Sequence, residues 1–130
     1  MDAAGALADL TEISTQVEAA VVFDGEGTVL ATTVPDGAPS ERLVRAATDL
    51  LEAAAQQRAS SGRELTQLEV AVREGSFFVV RDADRSIVAT TSPQPTSGLV
   101  FYDLRACLRA LAEPPPKPKR RRTAKKEADA

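Results

Sequence analysis

Residues 18–33 read EAAVVFDGEGTVLATT. No polar residue interrupts the run from Ala19 to Phe23. A short apolar run bounded by a turn signal predicts a strand buried on both faces. Asp24-Gly25-Glu26-Gly27 supplies the turn, because glycine reaches positive φ without steric cost and Asp tolerates turn conformations. Val29, Leu30 and Ala31 resume the apolar pattern before Thr32 and Thr33. Two strands alone are marginal in water. The remaining chain must therefore extend this sheet and cover it.

Upstream, Ala3, Ala6, Leu7, Leu10, Ile13 and Val17 recur at helical spacing, with Asp9 and Glu12 opposite. This predicts an amphipathic helix from Ala3 to Thr15. Downstream, PDGAPS at 35–40 reads as a loop, with Ser40 as the cap of the next helix. From Glu41 to Ser60, Leu43, Val44, Ala47, Leu50, Leu51, Ala54 and Ala55 recur at three and four residues. The stretch is Ala-rich and holds neither Gly nor Pro, which makes it the best-specified helix of the chain. Gly62 is placed to end it as a left-handed cap.

Three strands follow. Leu65 to Arg73 alternates, with Leu68, Val70 and Val72 expected on a buried face and Gln67, Glu69, Ala71 and Arg73 on a wet one. Glu74-Gly75 turns the chain into Ser76–Arg81, an apolar run, and Asp82-Ala83-Asp84 turns it into Arg85–Thr91. The short connections predict an antiparallel meander. A Pro-rich loop then leads to Thr96 or Ser97 as a cap. Leu99–Ala112 follows as a third helix with Val100, Phe101, Leu104, Cys107, Leu108 and Leu111 on its apolar side. Pro114-Pro115-Pro116 stops it. The order helix, two strands, helix, three strands, helix predicts an α+β domain. Its five-stranded antiparallel sheet carries the first and last helices on one face and the long middle helix on the other.

The chain has 130 residues, 43% of them hydrophobic, 4% aromatic, and none of them Trp. One domain with an appendage fits this length. Ala, Val and Leu must fill its core, so an oligomer interface is expected to add stability. The net charge of −3 conceals an asymmetry. Residues 1–112 hold 9 basic and 16 acidic residues, a net −7, whereas 113–130 hold 7 and 3, a net +4. We place the domain at 1–112 and a basic, Pro-rich, disordered tail at 113–130. The single cysteine cannot form an internal disulfide, which points to a reduced, cytoplasmic setting. No apolar run reaches membrane-spanning length, and the acidic N-terminus does not resemble an export signal.

The pieces VVFDGEGTVLATT, the long middle helix, LEVAVREGSFFVVRDADRSIVATTS and SGLVFYDLRACLRAL resemble, in that order, the roadblock family. This is also called the dynein light chain roadblock family, and it includes bacterial relatives of mutual gliding protein B. Asp24-Gly25 and Gly98 fall where the family has them, and the resemblance covers Ala3 to Ala112. It implies a homodimer in which sheets join edge to edge and middle helices lie side by side. It also implies a regulator or scaffold of a small Ras-like GTPase, in some members an activator that works by positioning. Carried over, Arg42, Arg45, Asp49, Glu52 and Gln56 become contact residues. Leu68, Val70 and Val72 become the sheet-joining edge.

Other motifs are weighed against chemistry. Gly25-x-Gly27 precedes a strand, whereas a dinucleotide fingerprint needs a helix there. No GxxxxGK[ST] stretch exists, so the chain is not itself a P-loop GTPase. With no His anywhere, Cys107 lacks the usual activating base and reads as a core residue. The pairs Asp24/Glu26 and Asp82/Asp84 could hold a divalent ion or do acid–base work, but turn chemistry accounts for both. Arg42 and Arg45 read either as an arginine finger toward a partner's GTP or as a solvated, salt-bridged face. In the tail, Lys117, Lys119, Arg120, Arg121, Arg122, Lys125 and Lys126 could meet nucleic acid or an anionic membrane surface, or fold back on the acidic body. Arg120-Arg121-Arg122-Thr123 also suits a basophilic kinase. The expectation is a non-enzymatic homodimer without cofactor that regulates or scaffolds a small Ras-like GTPase. The alternative is an adaptor that holds an anionic partner through its tail.

Overall fold

The computed structural model describes residues 2–35, 37–57 and 65–112. Three helices and five strands follow in the expected order. They are α1 (Ala3–Ile13), β1 (Val17–Asp24), β2 (Val29–Thr32), α2 (Ala38–Gln57), β3 (Leu65–Val72), β4 (Gly75–Asp82), β5 (Arg85–Thr91) and α3 (Ser97–Ala112). One antiparallel sheet has the order β2-β1-β5-β4-β3. The meander β3-β4-β5 pairs successive strands, and β5 then docks on β1, so the apolar run of β1 lies inside the sheet.

β1 is buried on both faces, as its uninterrupted run predicts. Ala20 and Val22 point to one layer with Phe78, Val80, Ile87 and Ala89, beneath Leu7 and Leu10 of α1 and Val100, Leu104 and Leu108 of α3. Val21 and Phe23 point to the other with Val79 and Val88, beneath Val44, Ala47 and Leu51 of α2. The helices are thus divided over the two faces as expected. Each fully buried Val, Leu or Phe contributes about 1.5–3 kcal/mol. The two half-cores, rather than the four-residue β2, therefore hold the sheet together. Phe78 adds an edge-on contact to Phe101, with ring centroids 5.0 Å apart.

Local chemistry sets the boundaries. Asp2 caps α1, its Oδ1 accepting from the Gly5 N–H at 2.8 Å. α1 ends at Ile13, two residues earlier than predicted, and the Ser14 N–H closes the last turn on the Leu10 carbonyl. At the first hairpin the Asp24 carboxylate accepts from the Glu26 and Thr28 N–H groups, and Gly27 takes φ +85°. α2 begins before Ser40, not after it. Gly37, at φ +96°, accepts from the Glu41 N–H, and Ser40 lies inside the first turn. Pro39 does not block this earlier start, because first-turn N–H groups have no intrahelical acceptor and proline has none to orphan. The expected Gly62 cap lies outside the described residues. The β3–β4 turn is Arg73-Glu74, with Gly75 as the first residue of β4. A Cβ there would sit 1.9 Å from the Thr91 carbonyl oxygen, so only glycine lets β4 approach β5 at that point. Thr96 is at the cap position of α3, its carbonyl accepting from Leu99 and Val100.

Candidate functional site

One side of the molecule is defined by β3, which is an edge strand. Register sets Leu68 beside Val79, Val70 beside Phe77 and Val72 beside Gly75, so the three aliphatic side chains share the α2 face of the sheet. The expected burial of that face is not met within one chain. Leu68 is half-buried, but Val70 is 36% and Val72 53% exposed. The cause is position: an edge strand has a neighbouring strand on one side only. Val72 and Gly75 close a two-residue turn and so form a hydrogen-bonded pair. Alternation then turns the N–H groups of Ala71 and Glu69 outward, away from β4. An apolar strip thus runs beside a row of free backbone donors and acceptors, the combination that templates pairing with another strand.

On the same face of the sheet, α2 turns Val44, Ala47 and Leu51 inward. Arg42, Arg45, Asp49, Glu52 and Gln56 are all exposed, as their helical spacing requires. Arg42, Arg45 and Asp49 join Ala38, Glu41 and Ala46 around a shallow hollow of about 390 Å³ on the outer surface of the helix. The expected salt-bridged face is absent: the ion pair present among the described residues is Arg85–Asp84, at 3.9 Å. The α2 charges therefore stand in water, where a partner can reach them.

The opposite face holds a feature that residue spacing did not single out. Between α1 and α3 runs a groove of about 140 Å³, floored by Ala6, Leu10, Ala106, Cys107 and Ala110 and bordered by Asp9, Ile13 and Asp103. Ile13, placed on the apolar stripe of α1 by its spacing, is 70% exposed at the mouth of this groove. Asp103, only 8% exposed as a residue, lines this groove. The one sequence signal for it was a charge set between Val100 and Cys107 in the buried stripe of α3. Cys107 is buried as expected, and burial, then the Asp9 carboxylate, push its thiol up to about 11. Such a thiol does not supply the thiolate that a nucleophile or metal ligand requires.

One acid of each turn pair has a local partner. Asp24 is spent on backbone N–H groups, and Asp84 faces Arg85. Among the described residues no group of three or more His, Cys, Asp or Glu side chains is placed to hold a metal ion. None of the described helices is long and apolar enough to cross a membrane. The tail cations Lys117, Lys119, Arg120, Arg121, Arg122, Lys125 and Lys126, and Thr123, lie outside the described residues.

The geometry can be set beside known proteins. The Roadblock/LC7 domain matches residues 4–92, from α1 to the end of β5. A Roadblock/LC7 domain from Streptomyces avermitilis superposes with TM-score 0.72 at 16% identity, covering 85% of this chain and 95% of that one. The gliding protein MglB from Thermus thermophilus superposes with TM-score 0.62 at 20% identity, covering 82% and 85%. A profilin of the LokiProfilin type, solved with rabbit actin, superposes with TM-score 0.54 at 13% identity, covering 82% and 93%. Among curated proteins no significant match is found. The matched span is well over half of the chain and takes in all five strands and the first two helices, so this protein belongs to the Roadblock/LC7 family.

Proposed function

We propose that this protein is a homodimeric regulator or scaffold of a small Ras-like GTPase, with no catalysis of its own. The observation that carries the reading is the unpaired edge strand β3, whose exposed Val70 and Val72 lie on the same face of the sheet as α2 and its unpaired charges. Two copies joined along β3 cover the apolar strip and satisfy the outward N–H groups of Glu69 and Ala71. They also set two α2 helices side by side, with Arg42, Arg45, Asp49, Glu52 and Gln56 forming one mixed-charge platform. An MglB of the same fold solved in a tetrameric arrangement supports an assembly of copies, and the GTPase partner follows from what the resemblance to the roadblock family implies. The domain at 1–112 carries this function in the proposal, in the cytoplasm where such GTPases work.

The platform positions rather than reacts. Neither Arg42 nor Arg45 is held by an acidic partner among the described residues, so either can turn toward phosphate charge on a bound GTPase. The test uses the full chain and the variant Arg42→Glu/Arg45→Glu as baits in a lysate of the native cell, with GTP or GDP analogues added. The reading expects a small GTPase held by the wild-type chain in one nucleotide state. It expects the double variant to bind at least about tenfold more weakly, a loss of roughly 1.4 kcal/mol, while its mass in solution is unchanged. Equal binding by both baits, or no nucleotide preference, contradicts it.

A further inference from the structure

We propose that the cleft between α1 and β2 docks an extended, basic segment of a partner protein, which adds to β2 as a further strand. β2 is the other edge of the sheet, and among the described residues nothing pairs with its outer side. It stays open when copies join along β3. Beside it lies a hollow of about 440 Å³, walled by Ala4, Leu7, Ala8 and Thr11 of α1 and floored by residues 29–33. Backbone parity decides what this edge offers. The Thr33 N–H donates to the Ala20 carbonyl at 2.9 Å, and Ala31 stands two residues earlier, opposite Val22. Alternation turns both of these inward and Thr32, between them, outward. The Val34 N–H is spent on Thr32 Oγ1. The backbone N–H and carbonyl of Thr32 are thus presented to an incoming strand.

In such an addition main-chain hydrogen bonds supply affinity, and alternate side chains supply specificity. The four residues of β2 span about 13 Å at about 3.3 Å per residue, so the contact is a short one. Every second side chain of the segment points toward α1, where the exposed Ala4 and Ala8 leave room for an aliphatic residue. Leu30, 37% exposed, adds apolar surface to the floor. Charge selects the rest of the segment. Residues 1–41 hold eight acids and no Lys or Arg, and the nine basic residues of the body all follow them. Neither wall of the cleft, nor β1 behind it, carries a cation. Glu12 is exposed next to Thr11 on the α1 wall, and Glu26 is exposed on the hairpin that leads into β2. A segment with Lys or Arg between its aliphatic residues meets complementary charge, and an acidic one is repelled. This chain's own basic segment suits the edge poorly, because Pro114, Pro115, Pro116 and Pro118 lack the N–H that a ladder needs.

A model peptide tests this on the full chain. The probe is KVKVKVK with both ends blocked, titrated at low salt into isotope-enriched protein. The expected result is a shift of the amide NMR signals of Ala8, Leu30 and Thr32, with a Kd tighter than about 1 mM. Thr32→Pro removes the outward N–H and leaves the ladder to β1, so it should bind at least about tenfold more weakly. Thr32→Val keeps that N–H and loses only the hydroxyl, so it should bind like the wild type. Glu12→Lys/Glu26→Lys changes two exposed side chains and should also weaken binding at least about tenfold at low salt. About 1 M salt, where the screening length is about 3 Å, should do the same to the wild type. The acidic peptide EVEVEVE should not bind. The absence of shifts with KVKVKVK overturns the proposal, as do shifts centred on α2 or β3. Binding of EVEVEVE as tight as that of KVKVKVK overturns it, as does undiminished binding by the Glu12→Lys/Glu26→Lys variant. A fall of the chain to half its mass as the peptide binds means that a second copy holds the β2 edge, and also overturns it.

Discussion

Cys107 shows how one side chain links packing to pH. Its thiol is raised from 9.0 to about 11 by burial first and the Asp9 carboxylate second. As pH rises, the unfolded chain loses this proton before the folded chain does. The thiol therefore leaves stability unchanged below pH 9 and lowers it as pH climbs from there toward 11. The loss reaches at most about 3 kcal/mol, at roughly 1.4 kcal/mol per pH unit. Wild type and Cys107→Ala compared by urea unfolding should keep a constant difference below pH 9. Above it the difference should shift in favour of the variant, and parallel curves to pH 11 would contradict the burial argument. The role of Cys107 was legible, since a cysteine on an apolar helical stripe in a chain without His has little else to do. Asp103 was not. An acid within such a stripe reads as a neutral break in the pattern, and its burial follows only from how α1 crosses α3.

Among the elements, β1 and β3 differ in what their sequences could convey. An uninterrupted apolar run such as Ala19–Phe23 requires cover on both faces, and β1 has it. Alternation at Leu68, Val70 and Val72 requires cover on one face but does not say which chain supplies it. That is why the strand was expected to be buried and is instead exposed along most of its length. The start of α2 was misplaced for a different reason: Ser40 is a good cap residue, but Gly37 and Pro39 suit an earlier start. The register of β3 also selects the substitution that tests its role. Proline at Val70 would break the internal ladder to β4, whereas proline at Ala71 removes an outward N–H that only a second chain uses. Ala71→Pro should therefore retain the circular dichroism of the wild type and halve its mass in light scattering. A dimer of Ala71→Pro would place the joining edge elsewhere.

At the scale of the whole molecule the α+β architecture, the allocation of helices to faces and the Roadblock/LC7 membership were readable from element order and turn landmarks. Partner surfaces were less so, because exposed charges on α2 obey the same spacing whether they meet water or a protein. The structure adds that these charges have no internal partners among the described residues, and that the apolar edge lies on the same face. The account stands on those two features acting together in a two-chain unit. The most direct test is sedimentation of the purified full chain, 13.8 kDa per copy, alone and with its Ras-like GTPase loaded with a GTP analogue or GDP. The account predicts a species of twice the chain mass in the absence of GTPase. It further predicts a heavier complex, still containing two copies, in one nucleotide state only. A monomer that binds the GTPase equally well in both states would contradict it.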